Sequence, residues 1–287
     1  MGKFTYTDHV NKDALYDIGS WLQLTENWTD PYPDPVIQTH DGIQVVRDDL
    51  IVGTKARAAH RLFQDVKEDT VVYVQPREGA AGVSLIEAAN AANKKVKFFM
   101  PASKRMSETQ ALVIERGADY EFHRIAAMPN LNRMAEQWAL QNNAFFIPLG
   151  LKHSLVTAAL VRVGHNLRMN GFNPTTMAVA TSTGTLIRAL QIAFPDTTFH
   201  SVAVARNLQA GEKGPATFYS DTRPFLTDTK FVCPFPSYQN YDAKAWEYCV
   251  NNGIEAMWNV ASKPSLIDKT IPDQIDSYRD WPPKKEK

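Results

Sequence analysis

The sequence predicts an α/β protein built on mostly parallel sheets. Two patterns carry that expectation. Short β-branched runs alternate with longer helical patterns from residue 43 to about 205, as βαβ units require. Most of those runs end at glycine, proline or hydroxyl residues just before a helical pattern starts, and such residues break a strand and let the chain turn. The size fits as well: 287 residues, 44% hydrophobic and 22% charged, are enough for two modest domains with buried cores.

The elements follow in order. Residues 1–40 read as a peripheral arm, because Pro31, Pro33 and Pro35 beside Asp30 and Asp34 prevent a helix or central strand there. Asp41-Gly42 signals a turn; Ile43–Val46 then reads as a strand and Ala56–Val66 as a helix. Thr70–Val74 is a buried strand closed by Gln75-Pro76-Arg77-Glu78-Gly79, and Gly82–Asn93 an alanine-rich helix. Val96–Met100 is a strand, Ser107–Arg116 a helix with Gly117 after it, and Tyr120–His123 a short strand. Asn130–Asn142 reads as a helix, Ala144–Ile147 as a strand and Ser154–Met169 as the longest amphipathic helix. Met177–Ala180, Thr185–Ala193 and His200–Ala205 complete the alternation as strand, helix and strand. Beyond 207 the pattern weakens through Gly211, Gly214, Pro215, Pro224, Pro234 and Pro236, with one more helix at Ala243–Asn251 and a disordered tail at Trp281–Lys287.

Composition excludes several classes. Lys plus Arg and Asp plus Glu number 31 each, so the formal net charge is zero, and no global field draws nucleic acid or an anionic membrane. No apolar run has the length of a membrane span. Met1-Gly2-Lys3-Phe4-Thr5-Tyr6-Thr7-Asp8 is no hydrophobic signal segment. Cys233 and Cys249 form no CxxC pair, so neither a disulfide scaffold nor a cysteine zinc site is expected. His40, His60, His123, His153, His165 and His200 lack metal-ligand spacing, and no metal is expected. The chain is read as cytoplasmic.

Three strand-to-helix turns carry chemistry. In Gly53-Thr54-Lys55-Ala56-Arg57 a β-branched run ends and a helix begins. A lysine near a helix start is ordinarily a solvated charge. Desolvated at such a turn, it becomes a nucleophile for carbonyl carbon, and Arg57 would favour the neutral amine by charge repulsion. Thr181-Ser182-Thr183-Gly184-Thr185 lies between a buried strand and a helix. A plain helix cap is the bland reading; the functional one is an anion site of hydroxyls and N–H groups at a helix N-terminus. Arg77, Glu78, Gly79 and Ala80 form the third turn, suited to a carboxylate or simply to tight packing. A carbonyl-reactive lysine with a phosphate cup is what pyridoxal 5′-phosphate requires.

Taken in order, these pieces resemble the fold type II pyridoxal-phosphate enzymes, the family of tryptophan synthase β, threonine synthase, D-cysteine desulfhydrase and aminocyclopropane-carboxylate deaminase. Arg47-Asp48-Asp49-Leu50 with Gly53 to Arg57 is similar to the family's lysine segment, and Thr181 to Leu186 to its phosphate loop. The stretch Gly79–Ala92, Val96–Pro101 and Arg116–Asp119 is similar to its small domain. The resemblance covers roughly 35–206, with a weaker tail to about 265. It implies a tryptophan synthase β-like fold of two doubly wound domains, 1–68 with 149–287 holding the cofactor and 69–148 the small domain, with the cofactor in the cleft between them. Lys55 would hold the cofactor and shuttle the Cα proton, and Thr181, Ser182, Thr183, Gly184 and Thr185 would bind its phosphate. Asn259 or Ser262 would meet the pyridine nitrogen, with Glu255 as an acidic alternative. Arg77, Glu78, Gly79 and Ala80 would bind substrate.

Ala80 stands where the family commonly has the asparagine of a Ser-Gly-Asn turn, and the chain is short for the family. Both departures suggest a specialised substrate, either a small amino acid-like molecule or an aminoacyl-modified nucleotide. Compact relatives occur in bacteriophages that modify thymine in DNA, which brings in decarboxylation of a base-linked amino acid in the host cytoplasm. The expected activity is a lyase acting at Cα by elimination, deamination or decarboxylation, in a homodimer. Two alternatives stay open: a phosphoribosyltransferase-like enzyme using the same hydroxyl turn, although Met177-Ala178-Val179-Ala180 offers no acidic pair, and a degenerate scaffold without catalysis.

Overall fold

The computed structural model describes residues 17–103, 106–124, 127–205 and 214–263. They form two compact units, one from 17–62 and 150–262 and the other from 63–149. The expectations for Met1–Asp8, for Gly211 and for the tail Trp281–Lys287 lie outside the described residues.

The first unit holds a six-stranded sheet in the order β1-β2-β10-β7-β8-β9. Its strands are β1 (Val36–His40), β2 (Ile43–Arg47), β7 (Thr176–Thr181), β8 (Thr198–Ala203), β9 (Thr217–Ser220) and β10 (Ala256–Asn259). Only the β1–β2 hairpin is antiparallel; each other pairing is parallel. Helix α6 (Ser154–Met169) packs on α1 (Ile18–Gln23) and on α7 (Thr185–Ala193), and α8 (Asp242–Asn252) packs against β7, β8 and β10. Trp246, Met257, Val202 and Phe235 are central to its core. Helix α2 (Thr54–Asp65) starts in this unit.

The second unit is a four-stranded parallel sheet, β5 (Asp119–His123), β4 (Lys95–Pro101), β3 (Thr70–Val74) and β6 (Phe145–Ile147), in that order. Helices α3 (Ala81–Ala91), α4 (Glu108–Glu115) and α5 (Met128–Gln141) cover it. Its buried β3 residues Val72 and Val74 meet Phe99, Leu131 and Ala135. Ser107 starts α4 with a capping box: the Gln110 amide donates to Ser107 Oγ and the Ser107 amide to Gln110 Oε1, each at 3.2 Å.

The structure adds elements that the sequence pattern does not announce. The arm contains α1 and the edge strand β1, while residues 30–35 are irregular as the prolines require. Strand β1 is largely exposed, so it lacks an apolar run; its pairing with β2 through Asp41-Gly42 defines it. Strand β9 is exposed at all four residues and lies at the sheet edge. Strand β10 is only four residues long, yet it is buried between β2 and β7.

The buried carboxylate of Asp48 joins several of these pieces. It accepts from Arg57 Nε at 3.0 Å and from Trp258 Nε1 at 3.0 Å. Burial pushes its pKa upward and the charge of Arg57 opposes the shift. Arg57 also donates to Asp30 and to the Pro33 carbonyl, each at 2.8 Å, which fastens the proline arm to α2. Trp258 donates in addition to Thr54 Oγ1 at 3.1 Å, fixing the start of α2 to β10. Removing one partner of a buried ion pair leaves the other uncompensated, at about 3–5 kcal/mol. Arg57→Met is therefore expected to lower the unfolding free energy by about that amount, read from the denaturant midpoint; an unchanged midpoint would contradict this role.

Candidate functional site

Three neighbouring parallel strands of the first unit deliver the site. Trp258 of β10 pairs with Val46 of β2 on one side and Val179 of β7 on the other. Their C-terminal ends therefore lie side by side, which is where ligands bind in parallel sheets. Strand β2 leads into the turn before Lys55, β10 into Val260–Ser262, and β7 into Thr181–Thr185. A small cavity here is lined by Lys55, Val260, Tyr241, Gly150 and the 181–187 segment.

Lys55 sits in the first turn of α2. The preceding residue ties that turn down: the Thr54 amide donates to the Val260 carbonyl at 3.0 Å. The Val260 amide in turn donates to Asp242 Oδ2 at 3.2 Å, so one residue links the lysine's helix to an acid. Asp242 is fully buried, and burial raises its carboxyl well above the ordinary range against the opposing charge of Lys55. Burial lowers the Lys55 amine, with Asp242 as the opposing charge. Both groups are thus biased toward their neutral forms, a free amine beside a protonated acid. Arg57 does not produce this bias: its guanidinium is bound by Asp48 and Asp30, and the influences on Lys55 are burial and Asp242.

The hydroxyl loop stands opposite. Helix α7 begins at Thr185 after Gly184, which has φ +77°, a left-handed conformation that favours glycine. First-turn N–H groups lack intrahelical acceptors and carry the positive end of the helix dipole. Ser182 shares a hydrogen bond with Tyr241, whose phenol burial pushes upward. Thr181 is turned away, 2.8 Å from Ser201 Oγ. Thr185 Oγ1 donates to the Gly150 carbonyl at 2.9 Å.

The structure thus brings Lys55 and Thr181–Thr185 to one cavity. Asn259 is close in sequence to Val260, yet its side chain is engaged: Ser237 Oγ donates to its Oδ1 at 3.0 Å and its Nδ2 donates to the Pro236 carbonyl at 2.9 Å. Ser262 Oγ is buried and has no hydrogen-bond partner among the described residues. Glu255 sits at the opposite end of β10, where its Oε2 accepts from the Thr175 amide at 2.7 Å. Arg77, Glu78, Gly79 and Ala80 belong to the second unit, at the turn from β3 into α3. There Gly79 has φ +115° and Ala80 supplies no side-chain cap. His153 caps α6, its Nδ1 accepting from the Leu155 amide at 3.1 Å.

Asp242 and Tyr241 are site residues that the sequence reading missed. An acid in the first turn of a helix is commonplace, and Asp242 reads as that alone. Only the placement of α8 against β10 shows that its carboxylate reaches the Val260 amide.

Solved structures share this fold. An ACC deaminase homologue matches 85% of this chain and 95% of its own, with a TM-score of 0.74 at 15% identity. Diaminopropionate ammonia lyase from Escherichia coli, in apo form, matches 93% of this chain and 96% of its own, with a TM-score of 0.64 at 11% identity. A pyridoxal 5′-phosphate-dependent aspartate racemase matches 70% of this chain and 64% of its own, with a TM-score of 0.53 at 16% identity. No family model and no curated protein sequence matches the chain. The architecture is the tryptophan synthase β-like fold of the fold type II pyridoxal-phosphate enzymes.

Proposed function

We propose that the chain is a pyridoxal 5′-phosphate-dependent lyase acting at Cα of an amino acid or aminoacyl group. The observation that carries this reading is one cavity lined both by a lysine biased toward the neutral amine and by a hydroxyl-rich helix N-terminus. The folds shared with a deaminase homologue, an ammonia lyase and a pyridoxal-phosphate-dependent racemase support it. The residues also fit the cofactor by their unmet bonding. Asp242 Oδ1 and Ser262 Oγ are buried without hydrogen-bond partners among the described residues, and such atoms are retained where a ligand can supply the partner.

When bound, the cofactor supplies an electron sink for negative charge at Cα. Lys55 would hold the cofactor through its amine, and that amine, when free, would take up or return a proton at Cα. Asp242 would face the ring nitrogen, with Ser262 as the second group for that end, and Asn259 supports the loop that carries Pro236 and Ser237. Ser182, Thr183, Gly184 and the first-turn amides hold the phosphate, with Thr181 and Thr185 as framework. An acid at the ring nitrogen would deepen the electron sink relative to a neutral group, which favours decarboxylation over simple elimination.

In this reading the first unit is the cofactor domain and the second the small domain. Arg77, Glu78, Gly79 and Ala80 are assigned to substrate. Their turn lacks an asparagine side chain, which suits an amino acid carried on a larger molecule, including a base-linked one. A cytoplasmic homodimer completes the proposal.

Three outcomes test it. Lys55→Ala is expected to abolish the visible absorption band that pyridoxal phosphate develops with the wild-type protein; a retained band removes Lys55 from its role. In competitive acylation across pH, Lys55 should react at lower pH than surface lysines, because burial favours its neutral form. Uniform lysine titration would contradict that. Asp242→Asn keeps an acceptor for the Val260 amide but loses the acid. It is expected to slow deuterium exchange at Cα of a bound amino acid by about a hundredfold or more, followed by NMR, and an unchanged rate would remove Asp242 from the ring-nitrogen role.

A further inference from the structure

Gly150 and Leu151 form a left-handed turn just before α6, with φ +79° and +55°. Leu151 is fully buried, and a non-glycine residue in this region is held only where its surroundings over-determine it. Two contacts tie the turn to the hydroxyl loop. Thr185 Oγ1 donates to the Gly150 carbonyl at 2.9 Å. The Thr183 side chain lies against the bare Gly150 Cα: a Cβ there would stand 2.6 Å from Thr183 Cβ and 2.7 Å from its Cγ2. No other residue type fits without displacing Thr183.

A threonine hydroxyl has one proton, and Thr185 gives it to Gly150. Thr181 is similarly engaged with Ser201 on β8. The hydroxyls at the two ends of the loop therefore serve its shape, leaving the first-turn amides, with Thr183 and the Tyr241-bonded Ser182, to face an anion. We propose that the Gly150 turn is the positioning element of this cup, and that Thr185 acts through Gly150 rather than by donating to the phosphate. The inference rests on the reading of the loop as the cofactor-phosphate site. A loop fixed in this way before the ligand arrives avoids the ordering cost of binding.

The test compares dissociation constants for pyridoxal 5′-phosphate and for pyridoxal, which lacks the phosphate, on the full chain. A general loss of stability would affect both ligands, whereas a misplaced cup weakens only the phosphorylated one. A wild-type protein with no preference for the phosphate ester would overturn the cofactor-phosphate reading itself. Given that preference, Gly150→Ala and Thr185→Val should each reduce it by about tenfold, on the scale of one hydrogen bond. Thr185→Ser should retain it. The double variant should lose little more than either single one, because both break the same clamp. A loss in Thr185→Val but not in Gly150→Ala, or losses that multiply in the double variant, would make Thr185 a direct ligand and overturn the inference. Should Gly150→Ala not fold, the crystal structure of the wild-type chain with pyridoxal phosphate decides the point. Thr185 Oγ1 still on the Gly150 carbonyl supports positioning, and Thr185 Oγ1 turned onto the phosphate refutes it.

Discussion

The first unit depends on a buried carboxylate that two other elements engage. Asp48 follows β2, and its carboxylate is reached by Arg57 from α2 and Trp258 from β10. Taking a carboxylate out of water is expensive unless every lone pair is served. The same guanidinium holds Asp30 and the Pro33 carbonyl. Arm, helix and central strand therefore cannot separate without exposing or orphaning a charge. The residue after this anchored segment's glycine is Thr54, bonded to Trp258 and to Val260; the next is Lys55. The position of the amine is thus fixed by charge compensation several ångströms away from it.

That arrangement explains how a lysine can sit in a buried turn at all. An isolated ammonium there would be costly, and the usual response is a lowered pKa. Asp242 could have restored the charge by forming an ion pair, but it is itself fully buried and burial drives its proton affinity up. Burial therefore biases both groups toward neutrality, against their mutual attraction as ions. A neutral amine attacks a carbonyl carbon, while a protonated acid has a proton to share with a basic ring nitrogen. Val260 links the two segments, its carbonyl accepting from the Thr54 amide and its amide donating to Asp242. The hydroxyl loop lines the same cavity as Lys55.

Much of the architecture was legible because parallel strands and their helices leave strong patterns. Thr70–Val74, Val96–Met100 and Met177–Ala180 are buried β-branched or apolar runs, and each appears as a strand. Strands β1 and β9 escaped notice because exposed edge strands carry no such run. Strand β10 escaped because four residues after a glycine resemble a loop until β2 and β7 are seen on either side. The candidate site was legible where it is a local turn, at Lys55 and at Thr181–Thr185, which line one cavity. It was illegible where groups meet only through pairing across the chain. Asp242 lies 187 positions from Lys55 in the sequence, and nothing local distinguishes it from a helix-start acid. Asn259 looked available by sequence position, but Ser237 and Pro236 occupy its amide. Arg57 looked like an electrostatic neighbour of Lys55, yet two positions apart on a helix the side chains face different ways.

The most direct test of the central claim is covalent trapping. Purified protein with pyridoxal phosphate would be reduced with borohydride, digested and mapped by mass spectrometry. The account predicts a single stoichiometric pyridoxyl label, on Lys55. Absence of a label, or a label distributed over several surface lysines, would contradict it.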